Sequence, residues 1–148
     1  MCLVITKRFT AKKPIFIYKV GFTVDFMQVF HSPITDWNFP FNTLCLDPNY
    51  KEIWNKGRKK GDEVYGGFIH SYKTYSKAFI MYDKLRSKYY CYGKCFIFRA
   101  IIPVGSVGFY GEDHEICSNK IIILNPNLLG YEKLCKEYGL DPSSNKFP

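Results

Sequence analysis

Long apolar runs are missing from this sequence. No window approaches the roughly 20 consecutive apolar residues that a membrane-crossing helix needs. The opening stretch Met1–Pro14, MCLVITKRFTAKKP, is too briefly apolar for a secretory signal and carries no cleavage-site pattern. The six cysteines, Cys2, Cys45, Cys91, Cys95, Cys117 and Cys135, are therefore expected to stay thiols in a reducing cytoplasm. Walker loops, RNA-binding signatures and zinc-finger spacings are also lacking. Cys91-x-x-x-Cys95 and His114-x-x-Cys117 match no ribbon or knuckle, so no metal is assigned to them, and no Cys–His nucleophilic pair can be assembled. Acidic residues are scarce, 13 against 21 Lys and Arg, for a net charge of +8. That excess favours an anionic partner. The cations are scattered, however, with one compact run at Lys56-Gly57-Arg58-Lys59-Lys60 and a looser one at Lys84–Lys88, and a solvated basic face is the plainer reading.

What the chain does have is aromatic mass: 13 Phe, 12 Tyr and 2 Trp in 148 residues, 47% of them hydrophobic. This length and composition suit one domain, residues 1–148, with an aromatic core. Short β-branched and aromatic runs bounded by turn residues read as strands: Cys2–Thr6, Ile15–Val20, Glu63–His70, Cys95–Ile102 and Lys120–Leu124. Lys7–Pro14 reads as a basic turn and Ile34–Asn49 as an irregular loop packed by its own side chains. Tyr50–Asn55 reads as a single helical turn. The clearest helix is Ser71–Lys88, with Ser71 or Thr74 able to cap it and Ala78, Phe79, Tyr82 and Leu85 at helical spacing. A last helix over about Leu129–Tyr138 is stopped by Gly139 and Pro142. The expected class is α+β: a mixed or antiparallel split β-structure with one main helix and a short C-terminal one.

Three landmarks follow in order. They are Tyr18-Lys19 on an early strand, Gly67-Phe68-Ile69-His70-Ser71-Tyr72 leading into a helix, and Ile101-Ile102-Pro103-Val104-Gly105-Ser106 before Glu115–Leu124. With the opening Met1-Cys2-Leu3, they resemble a group of small uncharacterised proteins of phages and gut bacteria, which share Gly-x-His-Ser and Ile-Pro-x-Gly-Ser motifs. More remotely they resemble the ADP-ribosyltransferase fold, a split β-structure that binds NAD. That resemblance implies that Tyr18 or Tyr72 stacks on a ring, Lys19 meets phosphate, and His70 and Ser71 hydrogen-bond ribose. Glu115 is the nearest carboxylate to the catalytic position, where an oxocarbenium-like centre must be stabilised. The strand expected to begin with that carboxylate instead opens Ser118-Asn119-Lys120, with Glu115 upstream in the loop.

The expected function is thus binding of a nucleotide-like or NAD-derived ligand by an ADP-ribosyltransferase-like, phage-type protein in the host cytoplasm, with both a degenerate site that only binds and turnover through Glu115 left open. NAD or an ADP-ribose-like molecule is the only cofactor the resemblance implies. The plain alternatives stand beside it: Ser71 as an ordinary cap, His70 as a junction residue, and Asp113-His114-Glu115 as a solvated turn. The second expectation is a non-enzymatic protein-interaction or virion-associated protein, contacting nucleic acid through Lys56, Arg58, Lys59 and Lys60.

Overall fold

The computed structural model describes residues 3–24, 28–33, 37–64, 68–88 and 95–148. In chain order the strands are β1 Leu3–Thr10, β2 Ile15–Val24, β3 Val29–His31, β4 Asn38–Pro40 and β5 Leu44–Leu46, followed by helix α1 Tyr50–Asn55. Next come β6 Glu63–Val64, β7 Ile69–Tyr72 and α2 Tyr75–Lys88, then β8 Cys95–Ile102, β9 Val107–Gly111, β10 Glu115–Ser118, β11 Lys120–Ile123 and α3 Tyr131–Tyr138. The main sheet runs β5-β11-β8-β2-β7-β10-β9-β1-β6, with every described pairing antiparallel, and the β3–β4 ribbon branches from β2. The result is a single small domain built on a curled antiparallel sheet with few helices, consistent with the α+β expectation.

Strand alternation sends successive side chains to opposite faces. On the inner face Ile17, Ala100, Ile102, Ile116, Ile121 and Ile123 meet Phe30, Phe39 and Phe41 of the ribbon and the turn beyond it. Each such burial is worth about 1.5–3 kcal/mol. The three helices cover the outer face. The first packs through Tyr50, Ile53 and Trp54 on Leu3, Ile5, Phe68 and Phe109. The second packs Ala78 and Leu85 on Tyr18, Val20, Phe22 and Tyr72. The third packs Tyr131 and Cys135 on Ile101, Ile122 and Leu124.

Several sequence boundaries move. The main helix begins at Tyr75 because Ser71 and Tyr72 are claimed by a ladder, paired with Ile116 and Glu115. Thr74 caps it instead, its Oγ1 accepting from the Lys77 amide at 3.2 Å. Phe79 lies on the exposed side of that helix. The last helix starts at Tyr131, because Gly130 sits at φ 89° and cannot continue it backward, whereas Gly139 at φ 67° stops it as expected. Lys7–Thr10 is strand rather than turn, because it pairs with Val107–Tyr110, a segment that was not read as a strand. The irregular loop contains two short strands, β4 and β5. Gly66, Gly67, Cys2 and Cys91 lie outside the described residues.

The Glu115–Leu124 run divides at Asn119. Its side-chain Oδ1 accepts from the Val107 amide at 2.9 Å and its own amide donates to the Val107 carbonyl at 3.0 Å, so the chain steps away from one partner strand to another. Glu115 consequently opens β10 rather than sitting in a loop.

Candidate functional site

Register places four residues in one row on the outer face. Arg99 of β8 pairs with Tyr18 of β2, Tyr18 pairs with Tyr72 of β7, and Tyr72 pairs with Glu115 of β10. Of the residues singled out from sequence, the structure thus brings Tyr18, His70, Tyr72 and Glu115 onto one face. Lys19 and Ser71 lie one position along their strands and therefore face inward.

The inward pair belongs to the core. Lys19 is 5% exposed; its ammonium donates to the His70 carbonyl and lies 5.6 Å from the centre of the Phe30 ring. Burial lowers its pKa to about 7. Ser71 Oγ on this face, and His70 Nε2 on the outer face, are buried without a hydrogen-bond partner among the described residues. His70 is held neutral to about pH 3, first by burial and then by the Lys19 charge.

On the outer face Tyr18 and Tyr72 are both buried, with α2 over them, and Tyr75 meets the Tyr18 ring edge-on at 5.5 Å. Glu115 is half-buried. Desolvation raises its pKa, and the nearby Lys77 ammonium, itself paired with Asp113, partly opposes that rise. Tyr72 separates Glu115 from Tyr18, so the carboxylate stands two strands away, about 10 Å at ordinary strand spacing. Asp113 and His114 occupy a tight turn with φ of 55° and 61°, and Asp113 is fully engaged with Lys77.

The other end of the row is different. Arg99 is 4% exposed, yet among the described residues no carboxylate lies within ion-pairing distance of it. Its Nη2 donates to the Tyr131 hydroxyl at 2.6 Å and the Asp141 carbonyl at 2.9 Å, and touches the Cys135 sulfur at 4.0 Å. The Asp141 carboxylate feels its charge without pairing with it, and an ion withdrawn from water without a direct ion pair costs several kcal/mol, so such a residue marks a place where an anion would be welcome. Two clefts share it. One, about 260 Å³, lies against Phe96, Phe98, Asn125, Asn127, Tyr131 and Ser143. The other, about 480 Å³, lies against Phe16, Leu140, Lys146 and Phe147.

Arg99 was missed from sequence, although a visible signal existed. It is the one charge inside CFIFRAII, a run whose apolar character demands burial. Phe16 and Phe147 carried no such signal. The basic run Lys56–Lys60 follows α1, where Lys56 pairs with Glu52 at 3.5 Å, Lys59 and Lys60 are exposed, and Arg58 is half-buried. Arg8 stacks on Trp54 at 3.8 Å on the same side. Cys117 is buried against Phe109 and Phe68, and Cys45 and Cys95 have thiols pushed up to about 11 by burial, which suits packing rather than nucleophilic attack.

A third groove, about 460 Å³, lies between β4 and β5 and is lined by Trp37, Phe39, Leu44 and Leu46. No family model, no curated protein and no solved structure matches the chain.

Proposed function

We propose that this protein binds a nucleotide-like or NAD-derived ligand at the Arg99–Tyr18 end of the outer row, without turning it over. The observation that carries the reading is Arg99: a buried guanidinium that makes no salt bridge among the described residues, beside an aromatic ring in register, opening on two clefts. A phosphate would take the guanidinium fork, as Arg geometry favours, and a ring would lie on Tyr18. The phosphate role expected of Lys19 passes to Arg99, because the Lys19 ammonium faces the core. Glu115 opens its strand, the place an ADP-ribosyltransferase-like core would want its carboxylate, but lies behind buried Tyr72. That separation favours binding over catalysis.

Thermal melting with NAD, ADP-ribose and AMP tests the reading. At about a hundred-fold excess over Kd, a native-state ligand adds about 2.7 kcal/mol, raising Tm by roughly 5–10 °C for a chain of this size. Arg99→Gln should abolish the rise. No rise with any of the three would sink the proposal.

A protein-interaction role is the second reading, and the β4–β5 groove favours it. Leu44 and Leu46 stand 48% and 57% exposed at the end of the sheet, an apolar patch of the sort partners cover. On this reading Lys56, Arg58, Lys59 and Lys60 would contact nucleic acid or an acidic partner.

A further inference from the structure

Residues 141–148 cross the outer face between the two clefts that share Arg99. Both clefts are walled by this segment, and Ser144 borders each. The segment is folded by its own short bonds. Asp141 Oδ1 accepts from the Ser143 amide at 2.9 Å and its hydroxyl at 2.7 Å, while Ser144 Oγ donates to the Lys146 carbonyl at 2.8 Å. Its near end is pinned where Arg99 bonds the Asp141 carbonyl and Tyr131 donates to the Pro142 carbonyl at 3.0 Å.

The far end is held by Phe147. Its ring stacks on Phe16 at 5.0 Å, meets Tyr18 at 5.3 Å, and lies 5.5 Å from the Arg99 guanidinium. Its amide donates to the Tyr18 hydroxyl at 2.8 Å. The preceding Lys146 places its ammonium 4.1 Å over the Tyr75 ring. Phe147 is only half-buried and Lys146 is exposed, so this end rests on one ring, one hydrogen bond and two cation–π contacts.

A flat ring held between aromatic side chains, with a guanidinium over its face, is an arrangement a planar ligand carrying an anionic group could adopt. We propose that the trough under residues 141–148, floored by Phe16, Tyr18 and Arg99, is a subsite for an aromatic ring bearing a phosphate. Phe147 is its internal occupant. The proposal rests on the binding reading above and adds two things: the ring's position, and a strap that competes with the ligand for it. Lifting the strap joins the two clefts over Arg99 and opens room for ring and phosphate together. Because the strap keeps its internal turns, it can swing about the pinned Asp141–Pro142 end without refolding.

The test compares AMP, adenosine and ribose 5-phosphate by isothermal titration on the wild-type chain, Phe147→Ala and Tyr18→Phe. Phe147→Ala removes the occupant. Tyr18→Phe keeps the floor ring but removes the hydroxyl that accepts from the Phe147 amide. Each variant is first checked for an intact fold by circular dichroism, so that loss of one still leaves the other. The expected result is AMP binding tightened about ten-fold in both variants. That is the affinity regained when a site open about a tenth of the time becomes open throughout. Adenosine should tighten likewise, and ribose 5-phosphate, which has no aromatic ring to place, should not. In the wild type, AMP should shift the Phe147 amide signal in a proton–nitrogen correlation spectrum.

Equal AMP affinity in all three proteins, with the Phe147 amide unmoved, overturns the strap and leaves ligand binding standing. Tightening of ribose 5-phosphate by the same factor as AMP overturns the ring's placement. No AMP binding by any of the three proteins overturns the binding reading itself, and the subsite with it.

Discussion

Replacing Lys19 by methionine should make this protein more stable. The lysine's pKa falls from 10.5 to about 7 because its ammonium is buried among Phe30, Phe98 and their neighbours. That depression of about 3.5 units corresponds to about 5 kcal/mol of native-state cost at pH 6, where folded and unfolded chains both carry the proton. Methionine keeps the straight apolar stem and drops the charge. It also leaves the His70 carbonyl without its donor, a loss of about 1–3 kcal/mol. The net expectation is a gain of about 2–4 kcal/mol at pH 6.

The sign with pH follows from the same shift. Between pH 7 and the ordinary lysine value the unfolded chain holds a proton that the folded chain has released, so wild-type stability rises with pH through that window. From pH 7 to 9 the rise should be about 2 kcal/mol, and Lys19→Met should not show it. Other groups border the window, so the Lys19 contribution is read as the difference between the two proteins. His70, neutral in the fold to about pH 3, weakens the protein as pH falls through the usual histidine range. The thiols of Cys45, Cys95 and Cys117, all raised by burial, begin to weaken it near the ordinary thiol value, by about 1 kcal/mol together at pH 9. Urea unfolding of both proteins at pH 6, 7, 8 and 9 reads all of this. A difference between wild type and variant that stays flat from pH 7 to 9, or a methionine variant less stable at pH 6, would refute the reasoning.

Two further substitutions probe the frame around that core. A methyl group at Gly21 would overlap the Phe30 ring and the His31 carbonyl, so Gly21→Ala should cost about 1–3 kcal/mol in chemical denaturation, and a neutral result would mean the ribbon can shift. Asn42 donates from Nδ2 to the carbonyls of Asn125 at 3.0 Å, Leu128 at 3.3 Å and Leu129 at 3.1 Å, and its Oδ1 accepts from the Asn125 amide at 2.8 Å. Asn42→Asp tolerates the same positive φ of 56° but turns the donor into an acceptor facing carbonyls. It should lower stability by about 3 kcal/mol at pH 7 and recover part of it when acidified, where the protonated carboxyl donates again; equal melting at pH 7 would contradict the bridge.

What could be read from sequence was local. The runs Ile15–Val20 and Cys95–Ile102 announced central strands, and they form the longest ladder, Ile15↔Ile102 to Phe22↔Cys95. Glycine at 139 announced a helix end. What failed was whatever depended on a distant partner. Ser71 and Tyr72 looked like a helix start until a strand beginning at Glu115 claimed them. Tyr18 and Lys19 were treated as one motif, yet adjacent strand residues face opposite ways, and only register decides which faces solvent and helix. The contact between Phe147 and Tyr18 spans 129 positions of chain and has no periodicity to betray it. Arg99 was the exception: its misfit inside an apolar strand was visible without any fold.

The two ends of the main sheet are its shortest members, Leu44–Leu46 on one side and Glu63–Val64 on the other. A second chain arriving edge-on finds three residues of open ladder at one end and two at the other, too little to seed strand exchange or fibre growth. Lengthening β5 by a few alternating apolar residues would remove that protection, turning a protein kept apart from its copies by brevity into one that polymerises through its own sheet.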